Sequence, residues 1–147
     1  MAVKISTKGR YGLRLMVDLA VHYRQGLVPL KEIAVRQDLS EKYLEQIMMQ
    51  LNRSGLVRSV RGAQGGYALA MDPADVTVGA VLQVLEGSLA PVDCIGCDAT
   101  ACDRMNRCVT VDVWRRLGAA IEGVVDSITL ADLREEYYRK NPPDYSI

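Results

Sequence analysis

Apolar residues recur along this chain at helical spacing in several separate blocks, and polar turns divide the blocks. Leu15, Met16, Leu19, Ala20 and Tyr23 share one face of a first helix expected over about residues 8–24, with Ser6 or Thr7 as its cap and Gly26 as its stop. Val28 and Pro29 form a short extended link. A second helix is expected over 30–37, with Ile33 and Ala34 inward. Asp38-Leu39-Ser40 makes a turn, and Ser40 caps a third helix with two clean faces. Leu44, Ile47, Met48 and Leu51 form its apolar stripe, while Lys42, Glu45, Gln46, Gln50 and Arg53 face the other way.

The period then changes. Leu56–Val60 and Tyr67–Leu69 read as short strands about the turn Gly62–Gly66, with Arg61 at the tip. Beyond Asp72-Pro73, Val78, Val81, Leu82 and Leu85 give an amphipathic helix of about 77–86. The longest helical pattern runs from about 107 to 127, with Val113, Leu117, Ala120, Ile121, Val124 and Ile128 in one stripe. A small domain does not readily bury so long a stripe by itself, so this segment is expected to be a dimerisation helix. Thr129-x-x-Asp132 opens a last helix by a capping pattern.

The expected fold is therefore mainly α with a small β-hairpin wing: a winged helix-turn-helix plus a long dimerisation helix. Residues 1–71 would form the DNA-binding domain, 72–108 a connecting helix and cysteine loop, and 109–147 the dimerisation helix and C-terminal helix. Two helices joined by a short turn form a helix-turn-helix, whose second helix lies in the major groove of double-stranded DNA. Gln and Ser can hydrogen-bond bases there, and Glu can accept from a cytosine amino group. Arg61 at a hairpin tip suits a narrow minor groove, and Arg58 suits a phosphate.

Charge strengthens this picture. The 147 residues carry no net charge, yet residues 1–71 hold 11 Lys and Arg against 5 Asp and Glu, and residues 72–147 hold 7 against 13. A basic front half offers a footprint for a polyanion. No apolar run approaches the ~20 residues that span a bilayer, and the opening residues lack the apolar core of a signal peptide. A cytoplasmic protein is expected. One histidine, no visible nucleophile–base pair and no nucleotide-binding signature argue against an enzyme.

All four cysteines fall in one stretch, as Cys94, Cys97, Cys102 and Cys108. Clustered cytosolic thiols point to a metal centre or redox chemistry before structural disulfides. Four thiolates satisfy a two-iron or a four-iron iron–sulfur cluster. Zinc fits the spacing less well, because only Cys94 and Cys97 form a C-x2-C knuckle. Thiol switching through regulatory disulfides is a third possibility.

Particular motifs resemble those of a known family. They are Ser6-Thr7-Lys8-Gly9-Arg10-Tyr11-Gly12, Tyr43-Leu44-Glu45-Gln46, the Gly55-Leu-Val to Gly65-Gly66-Tyr67 wing, Cys108-x5-Trp114-Arg115 and Ile128-Thr129-Leu130. In these the chain resembles the Rrf-two (BadM-type) group of bacterial transcription regulators, over residues 3–138. The resemblance implies a homodimer on a palindromic operator. It would place Ser40, Lys42, Tyr43, Glu45 and Gln46 at bases or phosphates and Arg61 in the minor groove. IscR-like members of the group hold a cluster through three loop cysteines and a histidine. Cys102 and Cys108 match two of those cysteines; Cys97 is displaced by one residue, Cys94 is additional, and Val111 stands at the histidine position. Arg10 occupies the place where nitric-oxide-sensing members carry a ligating aspartate of the partner subunit. CymR-like members answer instead to a metabolic-enzyme partner, and they do not need the cysteine set.

Overall fold

The computed structural model describes residues 4–95, 102, 104 and 106–143. Its elements are α1 (Thr7–Val21), α2 (Leu30–Gln37), α3 (Glu41–Arg53), β1 (Val57–Val60), β2 (Gly66–Leu69), α4 (Val78–Glu86), α5 (Val111–Asp126) and α6 (Leu130–Lys140), with short 3-10 turns at Pro73–Asp75 and Asp93–Ile95.

α1 and α3 start where their caps predict, and α2 starts directly after Pro29. Ser6 and Ser40 each turn a side-chain oxygen back onto the third helical N–H, from Gly9 and Tyr43, both at 3.2 Å. α1 ends at Val21, earlier than the apolar spacing predicts. His22 Nδ1 lies 2.8 Å from Asp18 O, and Arg24 adopts a left-handed φ of 66°, so the chain has left the helix before Tyr23 can extend the stripe. Asp38 takes the left-handed conformation too, at φ 53°, and turns the chain from α2 into α3. Asp and Asn tolerate that conformation better than most residues, which suits Asp38 to this turn.

β1 and β2 pair antiparallel, Val57 opposite Leu69 through to Val60 opposite Gly66. Val28 adds a bridge on the outer side of β2, exchanging hydrogen bonds of 2.8 and 2.9 Å with Tyr67. Gly66 is required by this approach, because a Cβ there would meet the Val28 carbonyl and the next peptide at 2.6–3.0 Å. The extended link of the sequence analysis is thus the strand that ties the wing to α1 and α2.

One continuous core joins the front half to the back. Leu15, Met16, Ile33, Leu44, Ile47, Met48 and Leu51 are fully buried, and so are Val76, Val81 and Leu130. All belong to the same apolar cluster, with Leu85. α4 packs on α1 and α3, and α6 returns to α1. At roughly 1.5–3 kcal/mol for each buried aliphatic side chain, Leu130 alone is a substantial anchor for α6. A capping box starts α6: Thr129 N donates to Asp132 Oδ2 at 2.9 Å, and Asp132 N donates to Thr129 Oγ1 at 3.1 Å.

α5 begins at Val111, four residues later than the periodicity predicts. Arg107 N closes a turn on Arg104 O at 2.9 Å, and Val109 is 93% exposed. Of the sixteen residues of α5 only Val111 is buried. Val113, Leu117 and Val124 are 54%, 40% and 60% exposed. Packing on its own chain therefore covers only part of the stripe, through contact with α4 and the Asp93–Ile95 turn.

Candidate nucleic-acid interface and cysteine loop

The exposed face of α3 carries Lys42, Glu45 and Gln46, with Ser40 capping its start. Tyr43 differs from them. It is half-buried, and its ring meets that of Tyr11 edge-on, with centroids 6.0 Å apart. Tyr11 is in turn overlain by Arg14, whose guanidinium carbon lies 5.4 Å from the ring centre. Tyr43 is thereby fixed by α1 while its rim stays accessible.

Arg61 is exposed at the wing tip, and Arg58 is exposed on β1 opposite Ala68. Between wing and α3 lies an open cleft of about 730 Å³, lined by Glu41, Glu45, Met49, Asn52, Ser59 and Arg61 among others. Asn52 Nδ2 donates to Ser59 Oγ at 3.2 Å and fixes the wing relative to the helix. Tyr67 sits at the cleft base. Burial raises its phenol pKa and the Glu45 charge adds to the effect, while Arg61 opposes it. Of the expected contact residues, Glu45 and Arg61 line this cleft together, and Lys42 and Gln46 are exposed on α3 next to Glu45; each has bases or phosphates within its chemical repertoire.

Several residues that set this geometry have no counterpart in the sequence reading. Asp18, on α1, is 6% exposed and charged. It accepts from Arg36 Nε and Nη2 at 3.0 and 2.8 Å and from Gln37 Nε2 at 3.0 Å, with His22 Nδ1 3.5 Å from its other side. The carboxylate holds the Arg36 guanidinium above its already high ordinary pKa, chiefly by hydrogen bonding. Arg14 completes the lock, donating to Gln37 O at 2.9 Å and to Gln37 Oε1 at 3.2 Å. The last turn of α2 is therefore clamped to α1 directly before the Asp38 turn. The available signal was an acid amid the apolar run Leu15, Met16, Leu19 and Ala20, since a buried charge demands a partner. His22 closes α1.

The cysteine loop leaves α4 at Gly87 and returns at Thr110. Cys94 is half-buried in the Asp93–Ile95 turn, Cys102 is exposed, and Cys108 is half-buried. Cys97 lies outside the described residues. Ile95 and Pro91 lie over Gly118, which docks the Cys94 turn on α5. Cys108 stands just before the start of α5, its Sγ 3.4 Å from Thr110 Oγ1. The Thr110 hydroxyl lowers its thiol pKa most. The Thr110 backbone N–H adds to this, burial opposes it, and the Val111 backbone N–H and the Arg104 charge contribute less. Val111, where the resembled family's histidine would stand, is 5% exposed and apolar. Arg10 is exposed and donates to Thr7 Oγ1 at 3.3 Å. Among the described residues no three His, Cys, Asp or Glu side chains converge on a point that could hold a metal ion. The donor set itself, soft thiolates with one already biased toward its anionic form, suits an iron–sulfur cluster.

Residues 5–136 match the family model Rrf2, described as an iron-dependent transcriptional regulator. The chain is 44% identical over 131 residues to the HTH-type transcriptional regulator CymR of Bacillus subtilis (strain 168), covering 89% of each chain. It is 41% identical to the regulator IscR of Serratia proteamaculans (strain 568), over 89% of this chain and 79% of that one. Among solved structures, IscR of T. potens superposes with a TM-score of 0.77 at 45% identity, over 96% of this chain and 93% of that one. The B. subtilis CymR structure gives 0.75 at 43% identity, over 90% and 97%. The winged-helix fold follows from these neighbours and from the hairpin and helices described above. Overall similarity does not choose between the two kinds of relative.

Proposed function

The chain belongs to the Rrf2 family of transcriptional regulators, which are DNA-binding proteins rather than enzymes, and from that premise we propose a homodimeric regulator that reads a palindromic operator and senses iron–sulfur or redox status through its cysteine loop. The observation that carries the sensing part is the set of four cysteines within a single loop docked on α5. Cys94, Cys102 and Cys108, together with Cys97, would hold an iron–sulfur cluster of two or four irons. A bound cluster supplies a redox-active centre that oxidants can alter or destroy. What the chain's own residues do is fix the loop to the helices: Ile95 rests on Gly118, and Thr110 with the first N–H groups of α5 favours the thiolate of Cys108.

The partly uncovered stripe of Val113, Leu117 and Val124 supports pairing through α5 with a second copy. Two recognition helices related by a two-fold axis then read the two halves of a palindrome. Ser40, Lys42, Tyr43, Glu45 and Gln46 would meet bases or phosphates, Arg58 a phosphate, and Arg61 the minor groove. A change in the loop shifts the population of two arrangements of α4 and α5, and with it operator affinity. No helix among the described residues is long and apolar enough to cross a membrane, in keeping with action in the cytoplasm.

The test is the visible absorption of anaerobically purified protein, with iron and acid-labile sulfide assayed on the same sample. A sulfide-containing chromophore that disappears in Cys102→Ala is expected. A protein that stays colourless and sulfide-free after reconstitution would sink cluster sensing. That result would favour the second reading, control by thiol oxidation or by a metabolic-enzyme partner as in CymR-like members. The similarity to CymR and the thiolate bias of Cys108, the form that oxidises, support that reading. A zinc site is the third outcome, recognised by bound zinc without sulfide.

A further inference from the structure

α1 begins with half of a capping box. Ser6 accepts from Gly9 N, but a complete box also needs the third helical residue to return an oxygen to the N–H of the cap. Asp132 does this for Thr129 at the start of α6. In α1 the third helical residue is Gly9, which has no side chain. Glu86 takes its place from 80 residues away: its Oε1 accepts from Ser6 N at 3.1 Å. It also accepts a short hydrogen bond from the Ser6 hydroxyl. The same oxygen lies against Gly9, where a Cβ would overlap it. A carboxylate at this end of α1 also meets the positive pole of the helix dipole.

The position of Glu86 in the chain gives this contact its meaning. Glu86 is the last residue of α4, and the cysteine loop departs through Gly87, whose φ is 79°. At the other end of α4, Asp126 and Val125 of α5 pack against Gly79. Glu86 thus ties the end of α4 to the start of α1 by hydrogen bonds, while the start of α4 is capped by Thr77 and packed against α5. Directly after the first turn of α1, Tyr11 reaches Tyr43 on α3.

We propose that Glu86 is a positioning residue for DNA recognition: it completes the α1 cap from a distance, so that the first turn of α1, and the Tyr11–Tyr43 contact with it, depend on where the cysteine loop leaves α4. This deepens the regulator reading and rests on it for the signal that arrives through the loop. The positioning itself operates in reduced, cluster-free protein.

The experiment uses that reduced, cluster-free full chain. Fluorescence anisotropy compares the duplex that the wild type selects from a random-sequence pool with an unrelated duplex. Glu86→Ala weakens binding to the selected duplex about tenfold, the scale of a lost hydrogen bond to a charged group. Binding to the unrelated duplex stays within about twofold, because the phosphate-directed cations are untouched. Gly9→Ala, whose methyl displaces the end of the Glu86 side chain and presses on the side chain of Ile5, gives the same loss. Glu86→Gln keeps an oxygen for Ser6 and stays within about threefold of wild type. Amide exchange at residues 9–11 accelerates in both alanine variants and not in Glu86→Gln. Wild-type affinity in Glu86→Ala and Gly9→Ala overturns the proposal, and so does an equal loss on both duplexes, which marks general damage to the fold. A wild type that selects no duplex sinks the regulator reading instead. In that case unchanged exchange at residues 9–11 in Glu86→Ala overturns the cap, and faster exchange supports it.

Discussion

Replacing Asp18 with alanine removes the acceptor for three side-chain donors at once, two from Arg36 and one from Gln37, all at 2.8–3.0 Å. Losing a hydrogen bond to a charged group costs about 1.5–3 kcal/mol, so a plain sum would be large. Two facts reduce it. The Arg36 side chain is 35% exposed and can rehydrate once released, and Gln37 is only half-buried. The expected loss therefore falls near the low end for breaking a buried ion pair, about 3 kcal/mol. For a chain of this size that corresponds to a fall in Tm of about 6–12 °C. Circular dichroism melts at one fixed protomer concentration measure it, since subunit association shifts apparent stability. A double-mutant cycle with Arg36→Met separates the pair from each residue's packing: the double variant should recover part of the loss, because no unpaired cation is left behind. An Asp18→Ala protein that melts within about 2 °C of wild type would refute the assignment of Asp18 as the clamp between α1 and α2.

Two further outcomes test the interface and the assembly. Arg61→Ala should weaken operator binding by about 1–3 kcal/mol and leave any cluster absorption unchanged, as read by anisotropy and visible spectroscopy; unaltered affinity would remove the wing tip from the interface. Leu117→Asp should shift the protein from dimer to monomer in sedimentation velocity at micromolar concentration, because an unpaired carboxylate in an apolar contact costs several kcal/mol; a dimer that survives it would place the subunit contact elsewhere than the α5 stripe.

Much of the architecture was legible because it is written in local chemistry. Ser6, Ser40 and Thr129 are caps wherever they start a periodic run, and Leu44, Ile47, Met48 and Leu51 are buried as their spacing requires. The wing followed from two short strand-forming runs about a glycine-rich turn. Relations between distant residues were not legible. Nothing local to Asp18 points to Arg36, and nothing near Ser6 points to Glu86, since both partners are fixed by how helices cross rather than by spacing along the chain. The end of α1 was misplaced for a related reason: a side-chain contact from His22 and the left-handed Arg24 outweigh an apolar period that runs on to Tyr23. Of the cysteine loop, the sequence reads the donor chemistry, and the described residues add the docking of Ile95 on Gly118 and the polarised thiol of Cys108.

The apolar cluster that runs unbroken from Leu15 to Leu130 bears on how such proteins diversify. A cut after residue 71 would strip Val76, Val81, Leu85 and Leu130 from the interior of the helix-turn-helix and open a hole in it. The reader is therefore not a detachable module, and a chimaera joined there would inherit a broken interior. Between Glu86 and Val111, by contrast, no described residue is buried. Changes of ligand set that keep Pro91 and Ile95 on Gly118 can be tried in that span without opening the buried cluster. Selection is free to rewrite what the protein responds to while the machinery that reads DNA stays fixed.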